Sequence, residues 1–168
     1  INNIPNDSSV LDIGCGYGTV ARSIAKKVKG VVVTGIDNDR DRLDQAKSNN
    51  HLKNLSFIFG NVLEIKNNKK YDVLVMSNIL EHVEKRVDFI KKIVQSVLPE
   101  IILIRVPLFE RHWELPMRKE LGVNYFSDST HFIEHTKEEF KKEISDAGLR
   151  IENMEILWGE IWAKCITK

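Results

Sequence analysis

Two cysteines in 168 residues, no apolar run long enough to cross a bilayer, and no surplus of either charge set the first limits on this chain. Cys15 and Cys165 stand far apart and form no CxxC pair, which excludes a disulfide scaffold or a zinc ribbon and leaves ordinary buried thiols as the expectation. Lys and Arg total 25 against 24 Asp and Glu, so no broad positive field draws the whole molecule onto nucleic acid or anionic lipid. The opening residues Ile1-Asn2-Asn3-Ile4-Pro5 lack the charged and apolar regions of a signal peptide. A single domain spanning residues 1–168, in a reducing cytoplasmic setting and without a membrane span or nucleic-acid partner, is the expectation.

What is present is alternation. Val10-Leu11-Asp12-Ile13 is a short apolar run that stops at Gly14, and from Thr19 onward Val20, Ile24 and Val28 share one helical face. The β-branched run Val31-Val32-Val33 leads through Gly35-Ile36 to Asp37, and Leu43 with Ala46 then mark a polar helix that fades near Asn49-Asn50. Further strands are expected at Leu55–Phe59, Tyr71–Met76 and Ile101–Val106, with helical spacing from Val87 to Val97. Strands this apolar, separated by helices, indicate a parallel sheet covered on both faces.

Thr136-Lys137-Glu138-Glu139 matches a capping box, Phe140, Ile144 and Ala147 supply the apolar face of its helix, and Gly148 stands at the stop. After it, Leu149–Leu157 and Glu160–Thr167 are joined only by Trp158-Gly159, too short for a parallel crossover but suited to a hairpin. The expected fold is therefore a three-layer α/β sandwich with a Rossmann-like, mostly parallel seven-stranded sheet ending in an antiparallel β-hairpin. Pro107 to His135 shows no clear periodicity and should lie over the carboxyl edge of the sheet, where such folds bind ligands.

Asp12-Ile13-Gly14-Cys15-Gly16-Tyr17-Gly18 places glycines at alternating positions, whereas the dinucleotide fingerprint separates its last two glycines by three. The spacing disfavours a pyrophosphate. A ligand without phosphate but with cationic groups needs close backbone approach, expected of Gly14 and Gly16, and a nearby carboxylate, expected of Asp12. Asp37, about 20 residues on at the end of the second strand, suits a pair of ribose hydroxyls.

Val10 to Gly18 resembles motif I of the class I S-adenosylmethionine-dependent methyltransferases, and Gly35-Ile36-Asp37 resembles that family's ribose-binding acid. Tyr71-Asp72-Val73 followed by Ile79-Leu80-Glu81-His82-Val83 is similar to the fourth-strand segment of its small-molecule branch, which includes ubiquinone and menaquinone methyltransferases. The resemblance implies S-adenosylmethionine as cofactor, held by Asp12, Gly14, Cys15, Gly16, Tyr17, Asp37, Asn38, Asn61, Val62 and Ser77. Asn61 stands where many members carry an Asp that accepts from the adenine amino group, and an Asn oxygen can accept the same bond. The chain starts just before the first strand, so the N-terminal helices that cover the substrate in many relatives are not expected in it.

Ser77-Asn78-Ile79-Leu80 stands where methyltransferases of amide or nucleobase nitrogen carry an Asn/Asp-Pro-Pro-aromatic clamp, and the missing prolines and aromatic favour oxygen or carbon of a small molecule. Candidate bases are His82 and His131, with His135 as a further possibility, because imidazole accepts a proton near neutral pH. The spacing of His131, Glu134 and His135 is not that of a zinc helix, and no metal is expected. Phe109, Trp113, Tyr125 and Phe126, mixed with Arg111, His112, Arg118 and His131, suggest a wall for an apolar acceptor with one polar end. Protein or RNA methylation, or a non-catalytic cofactor-binding regulatory subunit, are the alternatives.

Overall fold

The computed structural model describes residues 1–64 and 70–167. Five strands run parallel: β1 (Ser9–Ile13), β2 (Val32–Asp37), β3 (Leu55–Phe59), β4 (Val73–Ser77) and β5 (Ile101–Pro107). The hairpin of β6 (Leu149–Leu157) and β7 (Glu160–Thr167) joins antiparallel to β5, giving the sheet order β3-β2-β1-β4-β5-β7-β6. The order reverses between β1 and β4, and the crevice beyond their carboxyl ends is where open α/β sheets hold ligands.

The layers follow from period-two alternation along the strands. Leu11, Ile13, Leu74, Met76, Ile102 and Ile104 point to one face and pack with α3 (Arg86–Val97) and α5 (Lys137–Asp146). Val10, Val33, Val73 and Val75 point to the other and pack with α1 (Thr19–Lys27). α2 (Arg40–Ser48) buries Leu43 and Ala46, starting from Asp39, whose side chain accepts from the Arg42 amide. The capping box of α5 forms as read, with Thr136 and Glu139 exchanging bonds, a device worth about 1 kcal/mol. Gly148 follows with φ +81°, the left-handed turn expected past a helix end.

Two elements differ from expectation. The fourth strand begins at Val73, because Tyr71 is buried ahead of it and pairs through its amide with Val97 O at 3.5 Å. The segment from Pro107 to His135 contains a short helix, α4 (Glu114–Glu120). Leu115 is its one buried residue, so no apolar period was visible, and Pro116 sits in its first turn, where the missing N–H is not needed. Among the described residues no helix is long and apolar enough to cross a membrane.

Candidate active site

The chain leaves β1 through three glycines with positive φ, Gly14 (+64°), Gly16 (+50°) and Gly18 (+74°), and each does something different. A Cβ on Gly14 would lie 1.9 Å from Ile79 Cδ1, and one on Gly18 2.5 Å from the Phe57 ring. Those two positions let the loop pack against the exit of β4 and the side of β3. At Gly14 the missing side chain thus makes room for Ile79. A Cβ on Gly16 would meet nothing within 4 Å, so this glycine keeps a face of the loop open.

Asp37 ties the loop to β2: its Oδ2 accepts from the Gly16 amide at 2.6 Å and its Oδ1 from the Asp39 amide at 2.8 Å. Asp12 lies in the middle of the sheet, in register with Gly35 and Val75, and is 1 % exposed. Its Oδ2 has no hydrogen-bond partner among the described residues. Burial, with the nearby Asp37 charge, pushes its carboxyl up to about 7 against the pull of the Ala21 backbone and Arg105. Cys15 is buried, donates its amide to Ile36 O at 3.1 Å, and has its thiol pushed up to about 12, first by burial; it acts as a small core residue.

The remaining expected cofactor residues rim this loop to different degrees. Tyr17 is exposed, with the Arg42 guanidinium 5.8 Å above its ring. Asn38 is exposed beside Asp37. Asn61 follows Gly60, whose amide reaches Asp37 O at 2.9 Å, but its own side chain is engaged locally: Oδ1 accepts from the Leu63 amide at 3.0 Å and Nδ2 donates to Glu64 at 3.1 Å. Val62 packs, half-buried, against the main core, and Ser77 ends β4 opposite Arg105.

Beyond the loop lies a cavity of about 420 Å³ built from three distant segments. The exit of β4 gives Asn78, Glu81 and His82; the long connection gives Pro107, Arg111, Ser127, Asp128 and His131; the β6–β7 hairpin gives Trp158 and Glu160. Glu81 and His82 sit on a single 3-10 turn (Leu80–His82). Thr130 Oγ1 lies 2.9 Å from His82 Nδ1, and the His82 and His131 rings meet edge to face with centroids 4.7 Å apart. Burial, then the neighbouring His131, lowers the His82 pKa.

Buried Glu134 anchors this side. It accepts from Arg111 at 2.8 Å and from the Ser127 amide and hydroxyl at 2.7 Å each, and pairs with His131 Nδ1 at 2.9 Å. Burial alone would raise its carboxyl, yet these four bonds hold it down to about 2. Glu81 is 1 % exposed, its Oε2 has no partner among the described residues, and burial pushes its carboxyl up to about 7.

The cavity wall corrects the apolar reading of the long connection. Phe109 is buried under an edge-to-face contact with Tyr125, which stacks on Phe126, and Lys119 covers the Phe109 and Tyr125 rings at 5.0 and 5.3 Å. Trp113 is 71 % exposed. None of these four aromatic residues lines the cavity, because they satisfy one another or face solvent, so the wall is polar apart from Pro107 and Trp158. His135 is fully buried with Nε2 3.1 Å from Glu143, away from the cavity.

Asn78, Glu81, Glu134, Trp158 and Glu160 are among the residues that sequence reading left out of the site. Trp158 carried a signal: it occupies a two-residue turn with φ +52° followed by Gly159 at +77°, where Asn-Gly is the favoured pair. A bulky residue held there is strained, and strain collects at functional positions.

The methyltransferase domain model matches residues 10–100. Over 102 residues the chain is 31% identical to the ubiquinone biosynthesis O-methyltransferase of Rickettsia bellii (strain OSU 85-389), covering 59% of this chain and 41% of that protein. Over 94 residues it is 34% identical to the probable (S)-tetrahydroprotoberberine N-methyltransferase 2 of Papaver bracteatum, covering 54% of this chain and 26% of that one. The chain thus spans less than half the length of these curated relatives. The structure of magnesium protoporphyrin IX methyltransferase from Synechocystis PCC 6803 superposes with a TM-score of 0.74 at 18% identity, over 99% of this chain and 77% of that one. The chain belongs to the methyltransferase domain family, in its class I, S-adenosylmethionine-dependent form.

Proposed function

We propose that this protein transfers a methyl group from S-adenosylmethionine to an oxygen of a small polar acceptor, ahead of carbon, with residues 1–168 acting as one catalytic domain. The observation that carries the reading is the Gly14–Ile79 contact. Ile79 is followed at once by the turn that presents Glu81 and His82 to the cavity, so on this reading the donor loop and the acceptor cavity adjoin.

The residues fit the cofactor on physical grounds. The unpartnered Oδ2 of Asp12 suits a cationic group of the ligand. Asp37 spends one backbone bond on each oxygen, and a carboxylate has about four acceptor positions, which leaves capacity for two ribose hydroxyls. Asn61 Oδ1 likewise keeps one lone pair for an adenine amino group. Tyr17, Asn38, Val62 and Ser77 would border the ligand.

When bound, the sulfonium supplies an electrophilic methyl and leaves as a neutral thioether. The chain's part is to align the acceptor oxygen in line with that methyl, exclude water, and receive the hydroxyl proton as the O–C bond forms and the S–C bond breaks. His82 and His131 would receive that proton, a reading supported by their place in the cavity, each with Nδ1 already engaged. Small-molecule acceptors also suit the relatives named above, and the balanced charge suits no nucleic acid.

Calorimetry with S-adenosylhomocysteine should give one site, and labelled S-adenosylmethionine offered with a panel of hydroxylated small molecules should label at least one. Binding without any transfer across oxygen, nitrogen and carbon acceptors would favour a regulatory cofactor-binding subunit. No binding would remove the reading.

A further inference from the structure

We propose that Glu81, His82 and His131 hold a divalent transition-metal cation at the floor of the acceptor cavity. One ligand atom from each of the three side chains lies within 4.8 Å of the other two. Metal–nitrogen and metal–oxygen bonds of about 2.0–2.2 Å bring such donors to roughly 3–3.5 Å from one another, so binding draws the three side chains together by at most about 1.5 Å.

Three independent features point to an ion. The first is the unpartnered buried oxygen: Glu81 is 1 % exposed and its Oε2 has no hydrogen-bond partner among the described residues. A buried carboxylate left this way is costly unless a cation meets it. Arg111, which lines the same cavity, is already paired with Glu134 at 2.8 Å, and Arg105, which is not among the cavity's lining residues, reaches Glu160 at 3.5 Å and keeps a buried Nε without a partner among the described residues.

The second is the outer shell. Ligating imidazoles direct one nitrogen at the metal and give the other to a carboxylate, carbonyl or hydroxyl that fixes the ring. His131 gives Nδ1 to Glu134 at 2.9 Å, and His82 gives Nδ1 to Thr130 Oγ1 at 2.9 Å, which leaves Nε2 as the ligating atom of both. Glu134 is itself fixed by Arg111 and Ser127, so the His131 ring is held from two shells out.

The third is Asn78. Its Nδ2 donates to Glu160 at 3.1 Å, which settles the amide orientation, and its Oδ1 is buried without a partner among the described residues. It lines the same cavity and offers a fourth, carbonyl, donor. Two imidazoles with a carboxylate and an amide oxygen form a borderline donor set that suits Zn²⁺, Mn²⁺ or Fe²⁺; Mg²⁺ favours oxygen ligands and retained water.

The remaining coordination positions face the cavity. If the methyl-transfer reading holds, on which this role but not the ion itself rests, an acceptor hydroxyl takes one of them. Its proton is then lost to solvent more readily, because the cation stabilises the oxyanion before the methyl arrives. The histidines would then act through the ion instead of accepting the proton themselves.

The test uses the whole chain, stripped with a chelator and dialysed, and needs no turnover. Mn²⁺ is titrated with free ion followed by electron paramagnetic resonance, Zn²⁺ by competition with a chromophoric chelator, and S-adenosylhomocysteine binding is measured on the same sample. One site is expected, weakened about ten- to a hundredfold in His131→Gln and in Glu81→Gln, and by a similar factor in Glu134→Gln, which touches only the outer shell. Because Glu81 is buried and its variant could misfold, His82→Gln supplies a more exposed ligand, with circular dichroism as the check on folding. His51→Gln, exposed in the connection between α2 and β3 and outside the cavity, should bind as the unaltered chain does. Absence of a stoichiometric site below millimolar ion, or unchanged binding in a folded His82→Gln/His131→Gln double variant, overturns the proposal. Metal binding with no S-adenosylhomocysteine binding would keep the ion site and sink the methyl-transfer reading.

Discussion

On the β1 side of the crevice the contacts that shape the site come from backbone: three left-handed glycines, the Gly16 amide on Asp37, and a single buried carboxylate beneath them. On the β4 side they come from side chains carried by the exit of β4, the long connection and the hairpin, joined by the His82–Thr130 and Asn78–Glu160 contacts, with Glu134 bracing the long connection. A backbone-built site admits little change, because the conformation itself forbids most residues. A site built from side chains can be rewritten one residue at a time while the sheet beneath it stays as it is. That division suits an enzyme that keeps one methyl donor and must fit a particular acceptor.

The sharpest way to break the comparison is within the glycine loop. Gly16→Val should abolish S-adenosylhomocysteine binding, by a hundredfold or more, because its side chain would occupy the open face; with φ at +50° it also adds strain of roughly 1–2 kcal/mol. The protein should stay folded. Gly14→Val should fail differently, since its branched side chain meets Ile79 in a packed seam and forces it aside, lowering the melting temperature strongly. Thermal melts and calorimetry on both variants check the division. If Gly16→Val unfolds the chain and Gly14→Val only loses ligand, the roles assigned to the two glycines are reversed.

A smaller effect is expected at Asp12. Its carboxyl is raised from 3.8 to about 7, so the folded state binds a proton that the unfolded chain has already released between those values. Stability attributable to this group therefore falls as pH rises from about 4 to about 7 and stays low above that. Asp12→Asn should raise the melting temperature at pH 8 and leave it nearly unchanged at pH 4. The same substitution should cost about 1.5–3 kcal/mol of cofactor affinity through the lost charge-assisted contact. In the unaltered protein, affinity should drop about tenfold per pH unit below 7, with a proton released on binding. Calorimetry in buffers of different ionisation enthalpy measures that proton, and an uptake in place of a release would remove Asp12 from the binding site.

The two sides also differed in how far they could be read from sequence, for a physical reason. Motif I at the exit of β1, Asp37 at the end of β2 and the capping box are local patterns, and the structure has them at those strand ends and that helix start. So is the hairpin, because two residues leave few ways to turn. The acceptor side brings Glu81 and His82 against His131, some fifty positions later, with Glu134 and Arg111 holding His131 in place. Sequence spacing tested His131 against Glu134 and His135, its neighbours, and gave no expectation of a metal because the spacing is not that of a zinc helix. The other two ligand candidates lie on a different turn, and His135 faces Glu143 in the core. The aromatics of the long connection misled for a similar reason: their count suggested a wall, and only packing shows that they cover one another.

The smallest effects expected belong to those aromatics, and they set where the acceptor site ends. Tyr125 lies half-buried with its ring 5.9 Å from Phe109 and 4.8 Å from Phe126. Tyr125→Ala removes both contacts, at about 0.5–1.5 kcal/mol for each aromatic pair beyond the area lost. At about 2–4 °C per kcal/mol for a chain of this size, the melting temperature should fall by several degrees. Trp113→Ala, at 71 % exposure, should shift stability by no more than about 0.5 kcal/mol. In both variants methyl transfer per folded molecule should equal that of the unaltered protein, because neither ring borders the cavity. Trp158→Ala provides the contrast: the ring is 87 % exposed, stands on a left-handed residue and lines the cavity, so its loss should reduce turnover while the melting temperature holds. Should Tyr125→Ala instead abolish turnover at an unchanged melting temperature, the acceptor site extends under the long connection and the polar cavity is only its mouth.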